Sequence, residues 1–167
     1  MVSIEEVEKR FDTKIKELRK ELPSKYSNGS QIATQNCAAL TMKSLFEILN
    51  IDDLNYVNMA APLAGITNIC GAVNAGLMVA GLITGRMGKK EVTLEKAANE
   101  GMKFIKRFKK EFGTIHCRDL TGYDLLTIEG MKNYIKNDIW GKQCYKHVVT
   151  AVEIIGRLYS KMIAKLI

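Results

Sequence analysis

Apolar residues recur at helical spacing along nearly the whole chain. Ile4, Val7, Phe11, Ile15, Leu18 and Leu22 step by three and four, which predicts an amphipathic helix. Ser3 is placed to cap it, and Glu5 and Glu6 fall in its first turn. Pro23 and the run SNGS at 27–30 end it. A second helix is expected from about Ser30 to Leu49, with Cys37, Leu40, Ser44, Leu45 and Ile48 on its inner stripe. Thr93 opens a helix with Ala97, Phe104, Ile105, Phe108 and Phe112 inward, and Lys103, Lys106, Arg107, Lys109 and Lys110 face largely outward. Gly113 stops it. A short helical turn over TIHCRDLTG and a weaker segment to about Asp138 follow. The last helix runs from Gly141 to Leu166 on the stripe Cys144, Val148, Val152, Ile155, Tyr159, Met162 and Leu166. No strand alternation and no internal repeat stand out. The expectation is all-α: a single helical domain over 1–167, with an N-terminal amphipathic helix at 1–27 and a four-cysteine region at 30–167.

One stretch breaks the amphipathic rule. Residues 54–85 carry no charge. Pro62, Gly65 and the pair Thr67–Asn68 interrupt it, so a continuous apolar helix is expected only from Ile69 to Gly85. That is short for a membrane span, and Asn74 lies inside it. A helix apolar on all sides belongs at the centre of a bundle. Gly71, Ala72, Ala75, Gly76, Ala80 and Gly81 leave little bulk, so a neighbouring backbone or a cofactor can approach closely. GRMGKKE at 85–91 reads as a solvated connector.

Composition narrows the class. The chain has 167 residues, 47% hydrophobic and 26% charged, enough for one folded core rather than a disordered chain. The net charge of +7 fits an acidic redox partner steered by the basic helix at 103–110, or simply a solvated surface. One tryptophan and no recognised module argue against nucleic acid. No Gly-x-Ser-x-Gly is present to mark a hydrolase nucleophile. The charged start MVSIEEVEKRFD is unlike a secretory leader, so the expectation is cytoplasmic, without membrane attachment. The small-residue face and the last helix are compatible with a homodimer.

The chemistry rests on four cysteines: Cys37, Cys70, Cys117 and Cys144, spaced by 33, 47 and 27 residues. No Cys-x-x-Cys pair occurs, which removes the compact zinc-ribbon, thioredoxin and bacterial ferredoxin patterns. By spacing alone, four unrelated buried thiols are the simplest reading. Local context adds to it. Thr67, Thr114 and Gly141 each precede a cysteine by three; if each caps a helix, the thiol lies in a first turn, where the dipole lowers its pKa. Thr34 stands in the same relation to Cys37, more loosely. His116 and Arg118 would add positive potential at Cys117.

The stretches NCAAL at 36–40, CGAVNAGLMVAGLITGR at 70–86, FKKEFGTIHCRDLTG at 108–122 and CYKHVVTAVEII at 144–155 carry a resemblance. Through them the chain resembles the C-GCAxxG-C-C family of redox-active proteins, from residue 36 to about 160. Each family cysteine has a counterpart here. Phe108, Phe112, Gly113, Cys117 and Leu120 make the third stretch the most specific. Two features depart from the pattern: Ala75 stands where the family has glycine, with glycine displaced to Gly76, and the lead APLAGITNIC is poorer in glycine.

The resemblance implies a helical domain whose cysteines converge, and a redox or metal function. Four converging thiolates would repel one another, and a cation would have to offset them. An iron–sulfur cluster does so, with Cys37, Cys70, Cys117 and Cys144 as ligands and backbone amides near Gly71 and Gly113 tuning it. A structural zinc ion is the close alternative. His116 is placed near such a site, and His147, three residues past Cys144, is an alternative ligand. Two further readings stay open. One is a metal-free thiol–disulfide oxidoreductase, with Cys117 attacking and Cys70 or Cys144 resolving. The other is a helical interaction module with inert thiols.

Overall fold

The structure, a computed structural model, describes residues 2–24, 36–87 and 93–167. These residues form eight α-helices and no strand: α1 (Ile4–Glu21), α2 (Cys37–Ile48), α3 (Leu54–Ala60), α4 (Gly71–Met87), α5 (Thr93–Phe112), α6 (Cys117–Thr121), α7 (Ile128–Lys136) and α8 (Tyr145–Ile163). A 3₁₀ turn at Ala61–Leu63 follows α3, and a π turn at Trp140–Cys144 leads into α8. The protein is all-α, as the periodicity predicts.

The apolar helix is central. α4 packs against α2, α5 and α8, and its Ala72, Val73, Ala75, Val79, Ala80 and Ile83 are buried. Gly76 admits Phe104: a Cβ there would stand 2.3 Å from the ring's Cζ. Phe104 in turn lies near Phe108, with ring centroids 6.4 Å apart. The displaced glycine of the family pattern is thus the position at which α5 meets α4.

α1 lies against α8. Ser3 caps it by accepting a bond from the Glu6 amide at 3.1 Å. Val7, Phe11, Ile15, Leu18 and Leu22 are buried, and the absence of a Cβ at Gly156 lets the Phe11 ring reach the α8 backbone. Arg19 pairs with Glu153 at 2.6 Å across this contact. The Trp140 indole N–H donates to the Leu22 carbonyl at 2.8 Å, joining the end of α1 to the π turn. The predicted outward lysines and arginine of α5 are all exposed.

Several boundaries move. α2 begins at Cys37, not near Ser30: Asn36 is extended (φ −78°, ψ 175°), and its side chain accepts from the Ala39 amide. Residues 25–35, which include Thr34, lie outside the described residues, as do residues 88–91 of the expected connector. α4 continues two residues beyond Gly85. The last helical run starts as a π turn, with α8 ending at Ile163. No helix among the described residues is long and apolar enough to cross a membrane.

Two glycines of α4 should respond to alanine with opposite signs. Gly81 has open space at its Cβ position, so Gly81→Ala should stabilise by about 1 kcal/mol through helix propensity. Gly76→Ala must displace the buried Phe104 ring, and overpacking of about 1–3 kcal/mol should outweigh the propensity gain. Urea denaturation of the two variants checks both signs.

Candidate functional site

Three helices begin at one place. Cys37 is the first residue of α2, Cys70 immediately precedes α4, and Cys117 is the first residue of α6. A short antiparallel bridge, Ile69 with His116, aligns the last two. Across it the Cys70 amide donates to the Ile115 carbonyl at 2.8 Å and the Cys117 amide to the Asn68 carbonyl at 2.9 Å. Cys144 arrives from the end of the π turn. All four cysteines line one cavity of about 520 Å³, and His147 lines it too. None of the four forms a disulfide; Cys70 and Cys144 are buried, Cys37 and Cys117 half-buried.

The capping expectations fail at three of the four thiols. The Thr67 hydroxyl donates to the Leu63 and Ile69 carbonyls, at 3.1 and 3.0 Å, and caps nothing. Thr114 accepts from the His116 amide, but the N-cap of α6 is His116 itself. Gly141 sits inside the π turn, so Cys144 is flanked by helix on both sides. Cys37, the loosest of the four parallels, has the best-formed cap, supplied by Asn36.

Electrostatics follow from these placements. The Cys37 sulfur accepts from the Cys70 thiol and from the amides of Gly71, Ala72 and Ala38, and its pKa is lowered against the cost of burial. Cys70, which donates to it, is held well above the ordinary thiol range. Of the hydrogen-bonded pair, Cys37 is thus the thiol that ionises more readily. Burial, followed by the Cys37 charge, pushes Cys117 up to about 11. Cys144 is also raised by burial and by Cys37, while the Tyr134 hydroxyl, donating to its sulfur at 3.3 Å, pulls the other way. The thiol with the lowered pKa is thus Cys37 rather than Cys117. His116 and Arg118 are exposed and do not line the cavity; Arg118 turns toward Asp124 at 3.7 Å.

Gly71 is required by a close approach: a Cβ would lie 2.7 Å from the Cys37 sulfur. Its amide is one of the donors to that sulfur. Gly113 has no such part. It ends α5 with φ +77°, its amide donates to the Lys109 carbonyl, and it does not line the cavity. Tyr134, Trp140, Leu120, Met131 and Asn36 complete the wall. Of these, Tyr134 lies in the weaker segment and Trp140 just past it, and each had a legible signal only as an aromatic residue. Among the described residues, no three Cys, His, Asp or Glu side chains gather closely enough to hold a single metal ion. The donor set is still of the kind a polynuclear centre uses: four thiols at one cavity whose lining holds no Lys, Arg, Asp or Glu.

An all-helical domain that brings four distant cysteines to a common cavity is the class defined by this fold and site. The model of one family, described as "Putative redox-active protein (C_GCAxxG_C_C)", matches residues 35–158. The chain belongs to that family. No curated protein and no solved structure gives a significant match.

His147 makes a pH prediction. Burial, with a smaller effect of Lys146, lowers its pKa from 6.5 to about 4. Between those values the unfolded chain binds the proton and the folded chain does not, so stability falls as pH drops through this window. In metal-free protein the loss from pH 7 to pH 5 should be about 2 kcal/mol from this residue. His147→Phe should remove that part of the slope, as read by urea denaturation at the two pH values.

Proposed function

We propose that the protein transfers electrons, with Cys37, Cys70, Cys117 and Cys144 holding an iron–sulfur cluster in the cavity. The observation that carries the reading is the presence of all four thiols in the wall of one cavity without charged side chains. Such clusters are held by cysteine thiolates. The cavity stabilises one thiolate and resists the next, since Cys70, Cys117 and Cys144 are all raised. Four thiolates there require a positive centre to offset them. A cluster bound there would supply one-electron chemistry. The chain's own contribution is the three amides directed at the Cys37 sulfur and the Tyr134 hydroxyl at Cys144, hydrogen bonds of the kind that tune such centres. A zinc staple is less well supported. It needs sulfurs about 2.3 Å from one point, and the described residues gather no three ligands in that way.

A second reading has its own observation, the hydrogen-bonded pair of Cys37 and Cys70. In a metal-free protein, the Cys37 thiolate attacks a substrate disulfide and releases one substrate thiol. Cys70 then displaces the other, leaving a Cys37–Cys70 disulfide and two reduced substrate sulfurs.

Anaerobic purification with metal analysis and a visible spectrum tests the two. Broad visible absorption with iron and acid-labile sulfide is expected, and Cys144→Ser should lower the iron content several-fold. Colourless protein without iron overturns the cluster. In that case a reversible Cys37–Cys70 disulfide, read by mass spectrometry, establishes the second reading, and its absence removes that too.

A further inference from the structure

We propose that the cavity also binds an uncharged, flat ring compound bearing a carbonyl, of the chemical class of quinones, with His147 as its hydrogen-bonding anchor. The preference for a quinone over other neutral carbonyl compounds rests on the redox reading above; the binding itself does not. The volume of about 520 Å³ falls within the roughly 300–1,000 Å³ of small-molecule sites, far more than one ion fills. Leu120, Leu125, Met131, Tyr134 and Trp140 make its wall apolar and aromatic. Ile66 and Ile135, 65% and 42% exposed, give it an apolar entrance. With no Lys or Arg in the lining to pair with, an anionic ligand would lose its hydration uncompensated, so nucleotides, carboxylates and phosphates are disfavoured.

Most polar groups of the wall are already engaged. The Asn36 amide group donates to the Ala61 carbonyl at 2.8 Å and accepts from the Ala39 amide at 3.0 Å. The Thr121 hydroxyl donates to the Cys117 carbonyl at 2.8 Å, and the Tyr134 hydroxyl donates to Cys144 at 3.3 Å. The Trp140 N–H donates to Leu22. Among the side-chain nitrogen and oxygen groups of the wall, His147 is the exception. It is 4% exposed, and the Phe112 ring stands edge-on to it with centroids 4.7 Å apart. Among the described residues no hydrogen bond reaches its ring nitrogens. A ligand carbonyl facing the imidazole N–H from the cavity gives it a hydrogen-bond partner in place of water. One nitrogen donor among thiols and apolar side chains selects a ligand with one acceptor on an apolar ring.

The probe is 1-tetralone, with tetralin as the same ring system lacking the carbonyl. Both are titrated into the anaerobically purified full chain by ligand-observed NMR and by emission of Trp140, the single tryptophan. Tetralone should bind saturably and about fivefold tighter than tetralin, the value of roughly one hydrogen bond. His147→Phe should abolish that difference while leaving tetralin within twofold. Duroquinone, substituted at every ring carbon so that thiols cannot add to it, should displace tetralone. Ile135→Asp, at an exposed position, should weaken both ligands several-fold without altering the melting temperature, and serves if His147→Phe fails to fold. Equal affinity for the two ring compounds, an unchanged difference in His147→Phe, or no binding at all overturns the inference. So does failure of duroquinone to compete. Iron and sulfide measured on the same preparation separate the two proposals: iron present without tetralone binding sinks only this one, and binding without iron sinks only the cluster.

Discussion

The site depends on the seating of one sulfur against the start of α4. The Cys37 sulfur lies where a side chain at Gly71 would be, and the amides of Gly71 and Ala72 turn toward it. α2, α4 and α6 all begin beside the cavity. Three helix N-termini, each the positive end of a dipole, repel one another there. A negative sulfur relieves that repulsion. The fold therefore favours a thiolate at the same point where it gathers the cysteines, and packing and chemistry have a common cause there.

The same field sets a limit. Once Cys37 carries charge, its neighbours meet both burial and a like charge, and Cys70, Cys117 and Cys144 are all driven toward the protonated form. Tyr134 and His147 add no charge: burial keeps the phenol protonated and the imidazole neutral at ordinary pH. The chamber is thus close to neutral, with Cys37 the point where negative charge is most readily held, a setting that discriminates strongly between cationic, neutral and anionic occupants.

The sequence was most legible where a helix has one clear face. The stripes of α1, α5 and α8 could be read directly, because helical period and burial coincide there. The uncharged stretch gave the central position of α4. The start of α2 was misplaced because Asn36, a good cap, lies inside a region of continuing helical pattern. The threonine spacing misled for a physical reason: a hydroxyl three residues before a thiol caps only if the backbone turns into a helix there, and Thr67 bonds carbonyls instead. Proximity along the chain misled at Cys117, whose neighbours His116 and Arg118 point to solvent while the thiol faces inward. Convergence of the four cysteines was legible only through family resemblance. The bridge that aligns Cys70 with Cys117 joins segments 47 residues apart and leaves no local pattern. Tyr134 and the depressed thiol at Cys37 were missed for the same reason, since both depend on contacts made only after folding.

The π turn at Trp140–Cys144 introduces a phase shift. One residue inserted into a helix rotates all that follows by about 100° around its axis. Trp140, ahead of the shift, reaches back to the Leu22 carbonyl, while Cys144 and His147 look into the chamber. The N-terminal helix, which precedes the matched family segment, is thereby geared to the cavity wall. Excising a single residue from the turn would unwind that gearing, swinging the sulfur and the imidazole off the chamber even if every helix kept its length.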